Sequence, residues 1–128
     1  MSQKYTVLHL DDNPVFIDIT KELFNKRDDI LYESAFSEQD AFGFMKKKQP
    51  DLLFVDLMLE DYGNTVPGEQ FIERVKELYP QTRMLVLSGY PEPEIMKEKL
   101  AHKIIHYEEK GGDPEKFVTN VVQFLSEW

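Results

Sequence analysis

Cysteine is absent from the 128 residues. That excludes disulfides, thiolate metal sites and thiol nucleophiles, and it fits a reducing compartment. Long apolar runs are missing as well, each being far shorter than the roughly 20 residues a membrane span requires. The opening Met1-Ser2-Gln3-Lys4 leads into a short, acid-terminated apolar stretch rather than a signal peptide. A soluble, cytoplasmic protein without membrane contact is the expectation. Positive charge is scarce, with 15 Lys and Arg against 24 Asp and Glu, a net charge of -9 and a pI near 4.8. A phosphate backbone needs a concentrated basic face, so direct nucleic-acid binding is not expected. The one basic run, Lys46-Lys47-Lys48, falls at the end of a predicted helix, where cations complement the dipole.

What is present suffices for a core: 41% hydrophobic and 12% aromatic residues in a length that suits one domain, taken here as residues 1–128 with no output domain. Tyr5 to Leu10 reads as a strand, followed by Asn13 as helix cap and Pro14 as first helical residue, with Val15, Ile19 and Leu23 at four-residue spacing. Ile30 to Ala35 reads as a second strand, and Ser37 with Asp40 as a capping box for a second helix. Leu52-Leu53-Phe54-Val55 is continuously apolar, as in a strand covered on both faces. A Gly/Pro-bearing loop, a helix ending at Pro80 and a buried strand at Met84–Leu87 follow. A short helix through Ile95 and Leu100, a strand at Ile104–Tyr107 and a last helix opened by Asp113-Pro114 complete the chain. Strands alternating with helices predict an α/β fold: a doubly wound, five-stranded parallel sheet with five helices.

Such sheets bind ligands beyond the carboxyl ends of their strands. Asp11 and Asp12 follow the first strand, Asp56 ends the third, Ser88 the fourth, and Lys110 follows the fifth. Hard carboxylate oxygens select Mg2+ or Mn2+ over zinc. A lysine opposite such an ion suits an incoming phosphoryl group, a serine hydroxyl can bond a phosphoryl oxygen, and Asp56 is the candidate nucleophile.

In this order and placement the residues resemble the receiver (CheY-like) domain of two-component response regulators, over essentially the whole chain. The resemblance implies that Asp56 is the phosphoacceptor and that Asp12, Asp56 and the Met58 backbone carbonyl hold Mg2+ directly, with Asp11 acting through water. It implies that Lys110 pairs with the phosphate and that Ser88 and Tyr107 form the switch. Met58 and Tyr90, two positions beyond Asp56 and Ser88, would modulate the rate; both are bulky, which predicts slow autodephosphorylation. The donor would be a phosphohistidine on a sensor kinase or phosphotransfer protein. The response would be a shift of the surface formed by the fourth helix, fifth strand and fifth helix, read by a downstream protein target. Such a domain promotes its own phosphorylation and dephosphorylation without being an enzyme in the ordinary sense. Two departures stand out: Gly111-Gly112 follows the lysine where the family usually has proline, implying looser placement, and the loop after Asp56 is long.

Three other readings compete. A Mg-dependent aspartyl phosphatase of the haloacid-dehalogenase type would need an acid where Met58 stands, and His9, His102 and His106 read as packing or surface residues. A flavin-binding relative would need a hydroxyl- or glycine-rich phosphate loop after the first strand. A phosphorylation-independent pseudo-receiver would be expected to have lost an acid or the lysine, and this chain keeps them.

Overall fold

The computed structural model describes residues 5–56, 68–89, 92 and 94–127. The elements alternate along the chain: β1 (Tyr5–Leu10), α1 (Pro14–Asn25), β2 (Ile30–Ala35), α2 (Glu38–Lys47), β3 (Leu52–Asp56), α3 (Glu69–Leu78), β4 (Arg83–Ser88), α4 (Glu94–Leu100), β5 (His106–Glu109) and α5 (Pro114–Ser126). All neighbouring strands run parallel in the order β2-β1-β3-β4-β5, the doubly wound sheet that the sequence pattern predicts.

Strand alternation divides the core in two. Leu8, Leu10, Leu53, Val55, Met84 and Val86 face a layer completed by Ala41 and Met45 of α2, Phe71, Ile72 and Val75 of α3, and Met96 and Leu100 of α4. Val7, Tyr32, Leu52, Phe54, Leu85 and Leu87 face the opposite layer, where Phe24 of α1 and Val121 and Leu125 of α5 pack. Because both faces are covered, β3 and β4 are continuously apolar at Leu52–Val55 and Met84–Leu87.

The helix starts follow local chemistry. Asn13 Oδ1 accepts from the Val15 and Phe16 amides at 3.0 and 3.3 Å. Ser37 Oγ accepts from the Asp40 amide at 3.1 Å, and Asp113 Oδ1 from the Glu115 amide at 3.0 Å. These caps satisfy amides that have no intrahelical acceptor. At the start of α3, Gly68 sits at φ 72°, a left-handed conformation that glycine adopts without steric cost.

One boundary differs from the sequence expectation. Ile104 and Ile105 were expected inside the fifth strand, yet β5 begins at His106. The Ile104 amide is spent on Leu100 O at 3.1 Å, closing the turn after α4, and the chain first meets the sheet when the Ile105 amide reaches Met84 O at 2.7 Å. Apolar residues mark burial here, and backbone partners mark the strand.

Candidate functional site

The topology brings the C-terminal ends of β1, β3, β4 and β5 to one edge. β1 and β3 are neighbours, with Leu10 opposite Val55, so Asp11, Asp12 and Asp56 emerge side by side. Each of these three carboxylates offers an oxygen, and the three oxygens lie within 4.8 Å of one another. They line one end of an open pocket of about 450 Å3, together with Phe36, Val55 and Phe71.

The two members of the acid pair have different surroundings. Asp11 is buried and Asp12 is exposed. Strand alternation carries Asp11 onto the face of Val7 and His9, under the loop that starts α1, while Asp12 turns outward. Asp11 Oδ1 accepts from the Asn13 amide at 2.9 Å, and Oδ2 lies 3.3 Å from Lys110 Nζ and 3.4 Å from His9 Nε2. Burial works to raise the Asp11 carboxyl, but His9, Asp56, the Asn13 amide and the Lys110 charge together outweigh it and draw its pKa down to about 2.

Asp56 goes the other way. Burial raises it most; Lys110 opposes the rise and the facing Asp11 adds to it, leaving a pKa of about 6. Two carboxylates in contact cannot ionise equally easily, and here the cost falls on Asp56.

Lys110 Nζ is 2.5 Å from Asp56 Oδ1 and lies 4.2 Å from the centre of the Phe16 ring. The Lys110 amide donates to Ser88 O at 2.5 Å, fixing the end of β5 to the end of β4. The glycine pair after the lysine leaves its contacts to hold it. In the structure two carboxylates, one aromatic face and one backbone bond meet Lys110. Gly111 takes φ 93° directly after it, a left-handed turn that proline, with φ fixed near -65°, cannot make.

Ser88 is fully buried at the end of β4. Tyr107 stands beside β4 opposite Val86 and packs at the edge of the α2/α3/α4 layer. Burial raises the Tyr107 hydroxyl, and a hydrogen bond with Ser88 pulls it back. Ser88 and Tyr107 are therefore already in contact. Met58 and Tyr90 lie outside the described residues, as does the long loop after Asp56.

Three residues join the site without having been singled out for it. His9 is fully buried, packed as expected, and lies beside Asp11; Tyr32 bonds to His9; and Phe16 seats Lys110. The signal for His9 lay in its spacing. A polar residue two positions before Asp11 on a strand must share its face. Phe16 gave no such signal, since its role depends on the fold of the loop after β5. His106 pairs with Glu108 at 2.7 Å, away from the carboxylates.

The donor set tests well against a hard divalent cation. Among the described residues it offers three carboxylate oxygens, one of them on an exposed side chain, and one acid whose pKa is raised first by burial and further by the facing Asp11. Each of the three carboxylates offers one oxygen to such an ion.

A family model described as the response regulator receiver domain matches residues 7–122. Among solved structures, a response regulator from Thermotoga maritima superposes with a TM-score of 0.79 at 25% identity, over 96% of this chain and 98% of that one. A CheY-like receiver domain protein from Methanospirillum hungatei JF-1 superposes with a TM-score of 0.80 at 21% identity, over 98% and 96%. Among curated proteins, the uncharacterized transcriptional regulatory protein YesN of Bacillus subtilis (strain 168) is 22% identical over 125 residues. That match covers 96% of this chain and 33% of the relative, so the chain spans about a third of that protein's length.

Proposed function

The chain belongs to the response regulator receiver domain family, and from that premise we propose that it is a phosphoacceptor signalling switch in which Asp56 takes a phosphoryl group from a phosphohistidine. The convergence of three carboxylates with Lys110 carries the reading. Asp12 and Asp56, with the Met58 carbonyl inferred from the family pattern, would hold Mg2+ or Mn2+, and Asp11 would act through a bound water. When bound, the cation supplies charge neutralisation for phosphoryl oxygens.

The ionised Asp56 carboxylate attacks phosphorus in line. A P–O bond forms as the P–N bond to the donor histidine breaks, and its electron pair returns to the imidazole, which takes up a proton. Lys110, already beside the Asp56 oxygen, needs only a small displacement to pair with a phosphoryl oxygen, so its charge is in place before reaction. The product is an aspartyl phosphate.

Ser88 couples this event to the surface. Its hydroxyl shares a hydrogen bond with Tyr107, and a phosphoryl group on Asp56 competes for that hydroxyl. The Tyr107 ring then repacks against β4 and α4, shifting the surface of α4, β5 and α5 that a downstream protein reads. A sensor kinase or phosphotransfer protein is the donor. Met58 and Tyr90 remain the candidates for slowing hydrolysis; substituting them as Met58→Asn and Tyr90→Ala should shorten the phosphoryl half-life.

Incubation with acetyl phosphate and Mg2+, followed by intact-mass measurement, tests the proposal. One phosphoryl adduct is expected, and it should vanish in Asp56→Ala. An adduct that survives that substitution overturns it in favour of another acceptor residue, and none in the wild type overturns it in favour of a phosphorylation-independent interaction module.

A further inference from the structure

Burying polar rings in an aromatic layer is costly unless their polar atoms are used. His9 lies fully buried on β1, its ring edge-on to Phe16, Tyr32 and Phe54 at centroid distances of 5.6, 5.8 and 5.6 Å. These contacts enclose the ring on three sides. Nδ1 is 2.5 Å from the Tyr32 hydroxyl, and Nε2 faces Asp11 Oδ2 at 3.4 Å. Nε2 is otherwise an orphan, buried with no well-formed hydrogen bond. An apolar residue would fill the same space without that cost, so packing does not account for the pair.

The proton placement follows from the neighbours. A phenol is protonated at neutral pH, and an imidazole fully enclosed by aromatic rings is disfavoured as a cation. A protonated phenol donates to Nδ1, and the single ring proton is then on Nε2, 3.4 Å from Asp11 Oδ2 and out of hydrogen-bond alignment with it while Lys110 holds that oxygen. Asp11 Oδ2 thus has one formed hydrogen bond, from the Lys110 ammonium at 3.3 Å, and a second N–H within reach at 3.4 Å on the His9 ring.

We propose that Tyr32 and His9 form a buried positioning pair that holds the Asp11 carboxylate from below and keeps Oδ2 partnered when Lys110 leaves it for a phosphoryl group on Asp56. The inference rests on the cation and phosphoryl site proposed above and adds its support from within the core. Without the pair, departure of Lys110 would strand a buried carboxylate oxygen, and Asp11 would turn to recover a partner, spoiling its hold on the water beside the cation.

The test combines a spectroscopic readout with Mn2+ titration, following free Mn2+ by electron paramagnetic resonance on the whole chain. Nitrogen-15 NMR of the wild type should show His9 as the Nε2–H tautomer. His9→Leu should weaken Mn2+ binding about tenfold, the usual scale for loss of a supporting contact behind a metal site. His9→Gln, which keeps a donor near the Nε2 position, should restore most of it. Tyr32→Phe, which removes only the hydroxyl, should release the tautomer preference and weaken Mn2+ severalfold; it serves as the decisive variant should His9→Leu not fold. An Nδ1–H tautomer in the wild type overturns the proposal. So does Mn2+ binding that is indifferent to His9→Leu and Tyr32→Phe while Asp12→Asn weakens it, and that result leaves the cation site standing. Mn2+ binding indifferent to Asp12→Asn as well removes the site and the pair's role together.

Discussion

At the scale of single residues, the site places two like charges together and then treats them unequally. Asp11 is drawn down to about 2 by donors on several sides, while Asp56 is pushed up to about 6 by burial and by Asp11 itself. An amide at position 56 keeps the shape and removes the charge that the site resists. Asp56→Asn should therefore stabilise the fold at neutral pH without divalent cations, by about 1 kcal/mol once the shift is discounted for partial solvent screening. Urea denaturation of the two proteins checks this, and the same variant should take up no phosphoryl group. A gain in stability on removing a reactive group is the mark of a residue kept for chemistry rather than for the fold.

Among the elements, the strand ends and the turns after them decide where the chemistry stands. β1 and β3 set the acids side by side by register, and β4 holds the end of β5 through the bond from the Lys110 amide to Ser88. Gly111 is the least replaceable part of that turn. A Cβ there would meet no neighbouring atom within 4 Å, so the obstacle is conformational: φ 93° is strained for any side chain. Gly111→Ala should cost about 1–2 kcal/mol and slow phosphoryl uptake severalfold, because relieving the strain moves Lys110 off the Phe16 face. Thermal melts and the rate of adduct formation read the two effects separately. Asn13 and Pro14 were legible as a helix start from their letters alone, since a cap acts within four residues. The role of Gly111 was not, because its φ depends on where β5 is pinned.

Across the whole molecule, the charge at the site should be visible in the pH dependence of stability. Asp56 titrates higher folded than unfolded, so the stability tied to its protonated form is complete below about pH 4 and is lost as pH rises through about 6. Asp11 titrates lower folded than unfolded, so its contribution is present above about pH 4 and is lost as pH falls toward 2. The stability difference between Asp56→Asn and the wild type should grow from about pH 4 to about pH 6 and then level off, as melts across that range would show. Mg2+ binds the folded chain and relieves the same charge, so at neutral pH it should raise the melting temperature of the wild type, with a smaller rise for Asp12→Asn. An equal rise in both would count against Asp12 as a ligand.

Sequence by itself determined the architecture and the outer chemistry. The alternation of covered strands and amphipathic helices, and the acids, serine and lysine set just past strand ends, are encoded locally, in periods of two and 3.6 and in caps spanning a few residues. It did not determine where β5 begins, for Ile104 and Ile105 are apolar in either case and only their backbone partners, Leu100 and Met84, separate turn from strand. Nor did it determine what holds Lys110 or what supports Asp11. Phe16 meets the lysine and Tyr32 meets His9 across 94 and 23 positions of chain, and contacts between residues so far apart exist only once the sheet order β2-β1-β3-β4-β5 has closed the distance.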